Sequence, residues 1–512
     1  MKRKSVCLSA TALSLLLAPA ASAVAQTNEK PGSAYVQCDG QPDNWTDGER
    51  AARLIGAVTL LGIFAPPHEA ADASKRKLGA EGIEACTSLL TGEHQETNPR
   101  RRLGLILGRA IHQIEAKNYA AAIADAQMAR REAQSAGLMA DPYFARTRGR
   151  SFDLVESAAL IRMGRAEEAR AAALKDSAGD QYDFVSLIGT PTYDDFLQTS
   201  TPQEEQVVDW RDRLYPFLSA SNATRLEIRG RFADAARMRD ALLDFTDATS
   251  PDTKSSALLA QAALSHALAG DFDRAATLAK AAKDNLEKRR LDGKPESNAS
   301  GVVEVLDLYN VVATAHSGDV KTARRLFAAR SEWVSASLGS VMEVDRQLRG
   351  GAAPDELVGG LAHSPEDLWK EHVDTEQAEL LAKDGDNKTL FALLPAERSA
   401  KDYQAIAKLV WRTDKSKMIL PKKADAKTPL ELMYLPAVDP VTALDAYVLH
   451  AALIARSRGQ QGFVFMPVLT GRVIAGAFLS GNRGDKGLPP ELFIDANDVI
   501  AKLSPVIPQP TS

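Results

Sequence analysis

One helical unit, repeated at loose spacing, constrains the fold of this 512-residue chain more than any other feature. Each copy has a small residue in a first helical stretch, a Gly or other turn residue, an aromatic or apolar residue, and then Ala three positions on. The clearest copy is Ala263, Gly270, Phe272, Ala275, Ala279 and Ala282. Ala110, Tyr119, Ala122 and Ala129 make another, with Lys117 at the usual Gly site. Ser157, Gly164, Ala166 and Ala169 make a third, in which Ala166 replaces the aromatic. Ala223, Gly230, Phe232 and Ala235 make a fourth, and Val311, Gly318, Val320 and Ala323 a fifth. The physical logic is packing. Small residues let the two helices of a hairpin approach, the larger residue fills the gap beside the turn, and each hairpin leaves an apolar face that only its neighbour covers.

This pattern resembles the tetratricopeptide repeat over roughly residues 100–340. In that repeat the eighth position is small, the fifteenth is Gly, the seventeenth is Tyr or Phe, and the twentieth and twenty-seventh are Ala. The seventeenth-position residues fall at 119, 166, 232, 272 and 320, so the intervals are 47, 66, 40 and 48. A regular array repeats every ~34 residues, so this one has longer helices or loops. The resemblance implies a mainly α, TPR-like solenoid that grips a peptide or another protein in the groove of its first helices. Composition agrees with a helical chain: alanine is abundant, aromatics are 6%, and 25 prolines are spread along it. That balance argues against an all-β sandwich or barrel.

The N-terminus reads as a leader. Lys2, Arg3 and Lys4 precede the apolar run Leu8 to Pro19, and Ala21-Ser22-Ala23 supplies a small-x-small cleavage site. A signal peptide over 1–23 predicts a periplasmic or secreted protein. Its removal takes three positive charges, so the net charge moves from −5 to −8. An acidic chain is ill-suited to nucleic acid, whose phosphates demand cations. Nothing later approaches the ~20 apolar residues of a membrane span, so no transmembrane segment is expected. Leu54 to Ala65 reads as a buried helix. Of three cysteines, Cys7 leaves with the leader. Cys38 and Cys86 are expected to pair in an oxidising compartment. Closing a loop of about 48 residues stabilises by roughly 4 kcal/mol on the chain-entropy model.

The expected organisation has four parts. Residues 24–45 form a polar lead-in, and 46–420 form the TPR-like helical domain. Within it, Thr46 and Glu49 predict a capped helix over Arg50–Phe64, and Ser364-Pro365-Glu366-Asp367 predicts another helix start. Another helix is expected over Ser399–Trp411. The long interval holds an insertion, Asp180 to Thr201, where aromatics alternate with acids. It reads as a connector whose aromatics pack on the adjacent hairpin, the alternative being a binding loop on the concave face. Lys415 to Lys427 reads as a linker. Residues 430–512 form a small α/β unit: a helix from Asp439-Pro440, apolar β runs at Phe463–Val468, Arg472–Leu479 and Leu492–Ile494, and a last helix Ala496–Leu503. About 80 residues sustain at most a marginal core of their own.

Chemistry is sparse. No Cys follows residue 86, and no Walker A, G-x-G-x-x-G, G-x-S-x-G or H-E-x-x-H motif occurs. The expected catalytic, cofactor-binding and metal residues are therefore none, and no cofactor is implied. His266 reads as a packing residue. His372 and Glu376 stand one helical turn apart and can share a metal, but two ligands do not make a site, and they read as a solvated face. Basic clusters at Arg100-Arg101-Arg102, Arg130-Arg131, Lys288-Arg289-Arg290 and Arg324-Arg325 read the same way. The leading expectation is a non-enzymatic protein-interaction scaffold. The alternative is an envelope enzyme or small-ligand receptor with its site in the C-terminal unit, where Arg472 and Asp495 supply polar groups.

Overall fold

The computed structural model describes residues 32–43, 70–93, 95–250, 255–385, 387–414, 416–421, 428–436, 438–470 and 473–510. The expected leader, the expected helix Arg50–Phe64, Arg472 and most of the Lys-rich linker lie outside the described residues.

All five sequence copies are helical hairpins. They are α2 (Pro99–Glu115) with α3 (Tyr119–Ser135), α4 (Arg148–Arg162) with α5 (Ala166–Leu174), α7 (Ser219–Ile228) with α8 (Phe232–Thr249), α9 (Ser256–Leu268) with α10 (Phe272–Leu291), and α11 (Ala299–His316) with α12 (Val320–Ala328). Two longer helices stand before hairpins: α1 (Gly79–Leu90) precedes α2, and α6 (Pro202–Leu214) precedes α7. The turns share one geometry. Lys117, Gly164, Gly230, Gly270 and Gly318 all have positive φ. The residue after the turn donates its N–H five positions back in four of them: Asn118 to Gln113, Arg165 to Leu160, Arg231 to Leu226 and Asp271 to His266. That bond is the outer one of a Schellman C-cap. Ala122, Ala169, Ala235, Ala275 and Ala323 are fully buried, as the helix approach requires.

Within the lead-in, residues 32–43 carry more structure than their composition suggests. Ser33 caps a short helix, Ala34–Asp39, whose Val36 and Cys38 are buried. Arg101 binds Asp39 through two hydrogen bonds of 2.6 and 2.9 Å. His112 Nε2 lies 2.7 Å from the Cys38 carbonyl. Cys38 and Cys86 stand at disulfide distance, with Cα atoms 4.8 Å apart.

After α12 the chain turns back. Helix α13 (Leu338–Arg349) packs on the first helices α11, α9 and α7. Helix α14 (Pro365–Ala382) reaches α4, and a short helix, Asn387–Phe391, reaches α2. The returning segment thus touches every first helix of the five hairpins. Leu390 and Phe391 enter the core of the first hairpin, and Val341, Val344 and Leu348 enter that of the last three.

The insertion and the C-terminal unit meet in the gap left by the long interval. Helix α15 (Ala400–Val410) leads to a four-stranded antiparallel sheet, ordered β1-β3-β2-β4. Its strands are β1 (Glu431–Met433), β2 (Gly462–Thr470), β3 (Val473–Gly481) and β4 (Ile494–Asp495), accompanied by α16 (Pro440–Ser457) and α17 (Ala496–Leu503). Phe465 pairs with Phe478, and Phe463 with Ile494. Alternation sends Phe463, Phe465 and Phe478 to one face, against α16 and α17. Val464 and Ala477 go to the other, against Ala241, Leu242 and Phe245 of α8. Leu174, Tyr182, Val207 and Leu214 join the first of these cores, so the unit's interior is continuous with the helices. Strand β1 was not expected from the sequence.

Candidate functional site

The most chemically competent cluster described is built from two distant segments. Ser364 and Asp367 form a reciprocal capping box that starts α14, with Pro365 in its first turn. His372 and Glu376, four residues apart, then share one face. Opposite them stands the insertion. Tyr193 is buried, donates its hydroxyl to the Ala169 carbonyl at 3.1 Å and contacts the Ser157 hydroxyl. The N–H groups of Phe196 and Leu197 both return to the Tyr193 carbonyl. That turn sets the two acids between: Asp194 pairs with Arg229 at 2.9 Å, and Asp195 Oδ1 lies 3.3 Å from His372 Nε2.

One ligand atom each from Asp195, His372 and Glu376 fall within 4.8 Å of one another, and all three residues are half-buried. His372 Nε2 is buried and makes no hydrogen bond among the described residues. The Trp369 ring lies against the imidazole, with ring centroids 5.6 Å apart. Burial, and then the Asp195 charge, raise the Glu376 carboxyl above its ordinary value. The solvated face expected for His372 and Glu376 is thus covered by a third group. Asp195 was missed because nothing local marks it; its one signal was an acid pair framed by Tyr193 and Phe196.

A second cluster is closed and structural. Arg150 bonds Asp153 at 2.8 Å and faces Asp180 at 3.1 Å. Arg130 pairs with Asp153 and Asp176. Arg146 lies between Asp183, at 3.4 Å, and Asp445, at 3.7 Å. Tyr403 donates to Asp445 at 2.8 Å. These ties join α3, α4, the insertion, α15 and α16.

Three of the four basic clusters expected as solvated faces hold a buried, paired arginine instead. Arg101 binds Asp39, Arg130 binds Asp153, and Arg324 binds Glu356 and the Leu348 and Gly350 carbonyls. Each side chain is buried, and burial of a cation demands a partner. His266 packs as expected, between Asp240 at 3.0 Å and Asp271 at 3.1 Å.

In the C-terminal unit, Asp495 caps α17 by accepting from the Asn497 and Asp498 N–H groups. Around Phe463–Phe465 and Ala477–Phe478 both sheet faces are covered by side chains. Elsewhere, a cleft of about 420 Å³ between α10 and α11 is lined by Leu286, Val303, Leu306 and charged groups including Arg290 and Asp307. Among the described residues no helix is long and apolar enough to cross a membrane.

No family model matches the chain, and no curated protein or solved structure matches it.

Proposed function

We propose that this chain is an exported, tetratricopeptide-like interaction scaffold, periplasmic or secreted, which binds a peptide or protein partner along its first-helix face. One observation carries the reading: α2, α4, α7, α9 and α11 share a face, and residues 338–394 lie along it as a polypeptide ligand would. Helix α14 is the weakly seated part of that segment, since Pro365 is its one buried residue among those described. Little apolar area holds it, so a better-matched peptide displaces it at modest cost. The leader over 1–23 and the Cys38–Cys86 pair support an oxidising compartment. The side chains covering both faces of the sheet around Phe463–Phe465 support a structural part for the C-terminal unit, because ligand sites are concave and open.

The test is a pull-down from the envelope of the exporting cell, run with the full chain and with a variant lacking 364–383. The variant is expected to recover the same partner in greater yield, with cross-links mapping to α4 and α7. No partner above background with either protein, or cross-links confined to 430–512, overturns the reading.

A further inference from the structure

The structure assigns a site for one divalent transition-metal ion of the zinc class to Asp195, His372 and Glu376. An imidazole nitrogen and two carboxylates are a ligand set that zinc takes, whereas calcium and magnesium prefer oxygen alone. The three ligand atoms lie within 4.8 Å of one another. Around an ion at ~2.1 Å, tetrahedral ligands stand about 3.4 Å apart. Three protein ligands leave a fourth position for water.

Two features favour a cation there. His372 Nε2 is buried and makes no hydrogen bond among the described residues, with Asp195 Oδ1 3.3 Å away but outside hydrogen-bond geometry. Two carboxylates face a single imidazole, and Glu379 adds further negative charge beside Glu376, opposed by Lys383. Asp194 is held away by Arg229, so Asp195 is the acid of that pair presented to the cluster.

The ion has a mechanical consequence. Asp195 belongs to the insertion, and His372 and Glu376 belong to α14, which has little buried surface. A shared metal therefore clasps α14 to the insertion. The assignment stands whether or not the first-helix face binds a partner.

The probe is zinc chloride alone, titrated calorimetrically into the full, untagged, chelator-stripped protein. One equivalent is expected to bind and to slow proteolysis within α14. His372→Ala is expected to weaken binding by at least ~100-fold and to abolish the protection. Glu376→Gln, which keeps size and shape, weakens it too, while His363→Ala leaves it unchanged. Apo melting curves of the variants report folding separately. Absence of saturable zinc uptake by the wild type overturns the assignment. Undiminished affinity in both His372→Ala and Glu376→Gln, or an equal loss in His363→Ala, also overturns it.

Discussion

At the scale of single residues, Lys117 is the outlier. It occupies the turn position that Gly holds in the other four hairpins, with φ of 62°. Left-handed backbone costs an L-residue roughly 1–2 kcal/mol, partly offset by the greater unfolded-chain freedom of Gly. Lys117→Gly is therefore expected to stabilise by about 0.5–1 kcal/mol, read as a higher denaturant midpoint. Gly270→Ala, at φ of 87°, should move the midpoint the other way. A fall with Lys117→Gly would show that its side chain contributes more than its strain costs. Cys38 and Cys86 give a second prediction. The mature, unreduced protein should show no titratable thiol at either position, and its mass should rise by two hydrogens on reduction. Two reactive thiols would sink the bond. That pair was legible because the leader expected from the sequence takes Cys7 and leaves two cysteines. The Arg101–Asp39 bridge beside it was not, because nothing in a run of three arginines says which one turns inward.

Elements were legible wherever local chemistry marks an end. Ser364-Pro365 and Asp439-Pro440 open helices, and Ala496–Leu503 is the last helix with the expected bounds. The three residues of β1 carry no such mark; their partner β3 supplies the order, Leu432 standing opposite Ala477. Helix α13 is set by a backbone approach of the same tertiary kind. A Cβ at Gly339 would lie 2.3 Å from the Glu227 carbonyl carbon and the Ile228 nitrogen. No side-chain movement relieves that contact. Gly339→Ala is expected to cost about 1–3 kcal/mol by overpacking and to open 338–394 to protease before the hairpins melt. Cleavage kinetics and melting temperature like the wild type's would mean that α13 sits further from α7.

Across the whole molecule, buried acids make stability depend on pH. Burial pushes Asp180 up to about 7, and Asp153 and Asp212 up to about 6. An acid with a raised native pKa favours the fold fully below its unfolded value, and that contribution is lost as pH rises through the native one. His266 acts in the same direction: burial alone would lower it, but Asp240 and Asp271 outweigh burial and raise it. His450, lowered by burial, opposes them below its ordinary value. Stability should therefore increase as pH falls from 8 to 5. Denaturant midpoints that instead decline steadily over that range would contradict the balance. The sequence by itself determined the five hairpins, their turns and the α/β character of the C-terminus. Each rests on contacts between residues a few turns apart, so periodicity and turn chemistry report them directly. Only the tertiary structure decided that 338–394 returns along the first helices, that the sheet packs on α8 while α16 and α17 pack with the insertion, and that Asp195 meets His372. Those contacts join residues hundreds of positions apart in some cases, and their selection depends on shape and charge complementarity that no local pattern encodes.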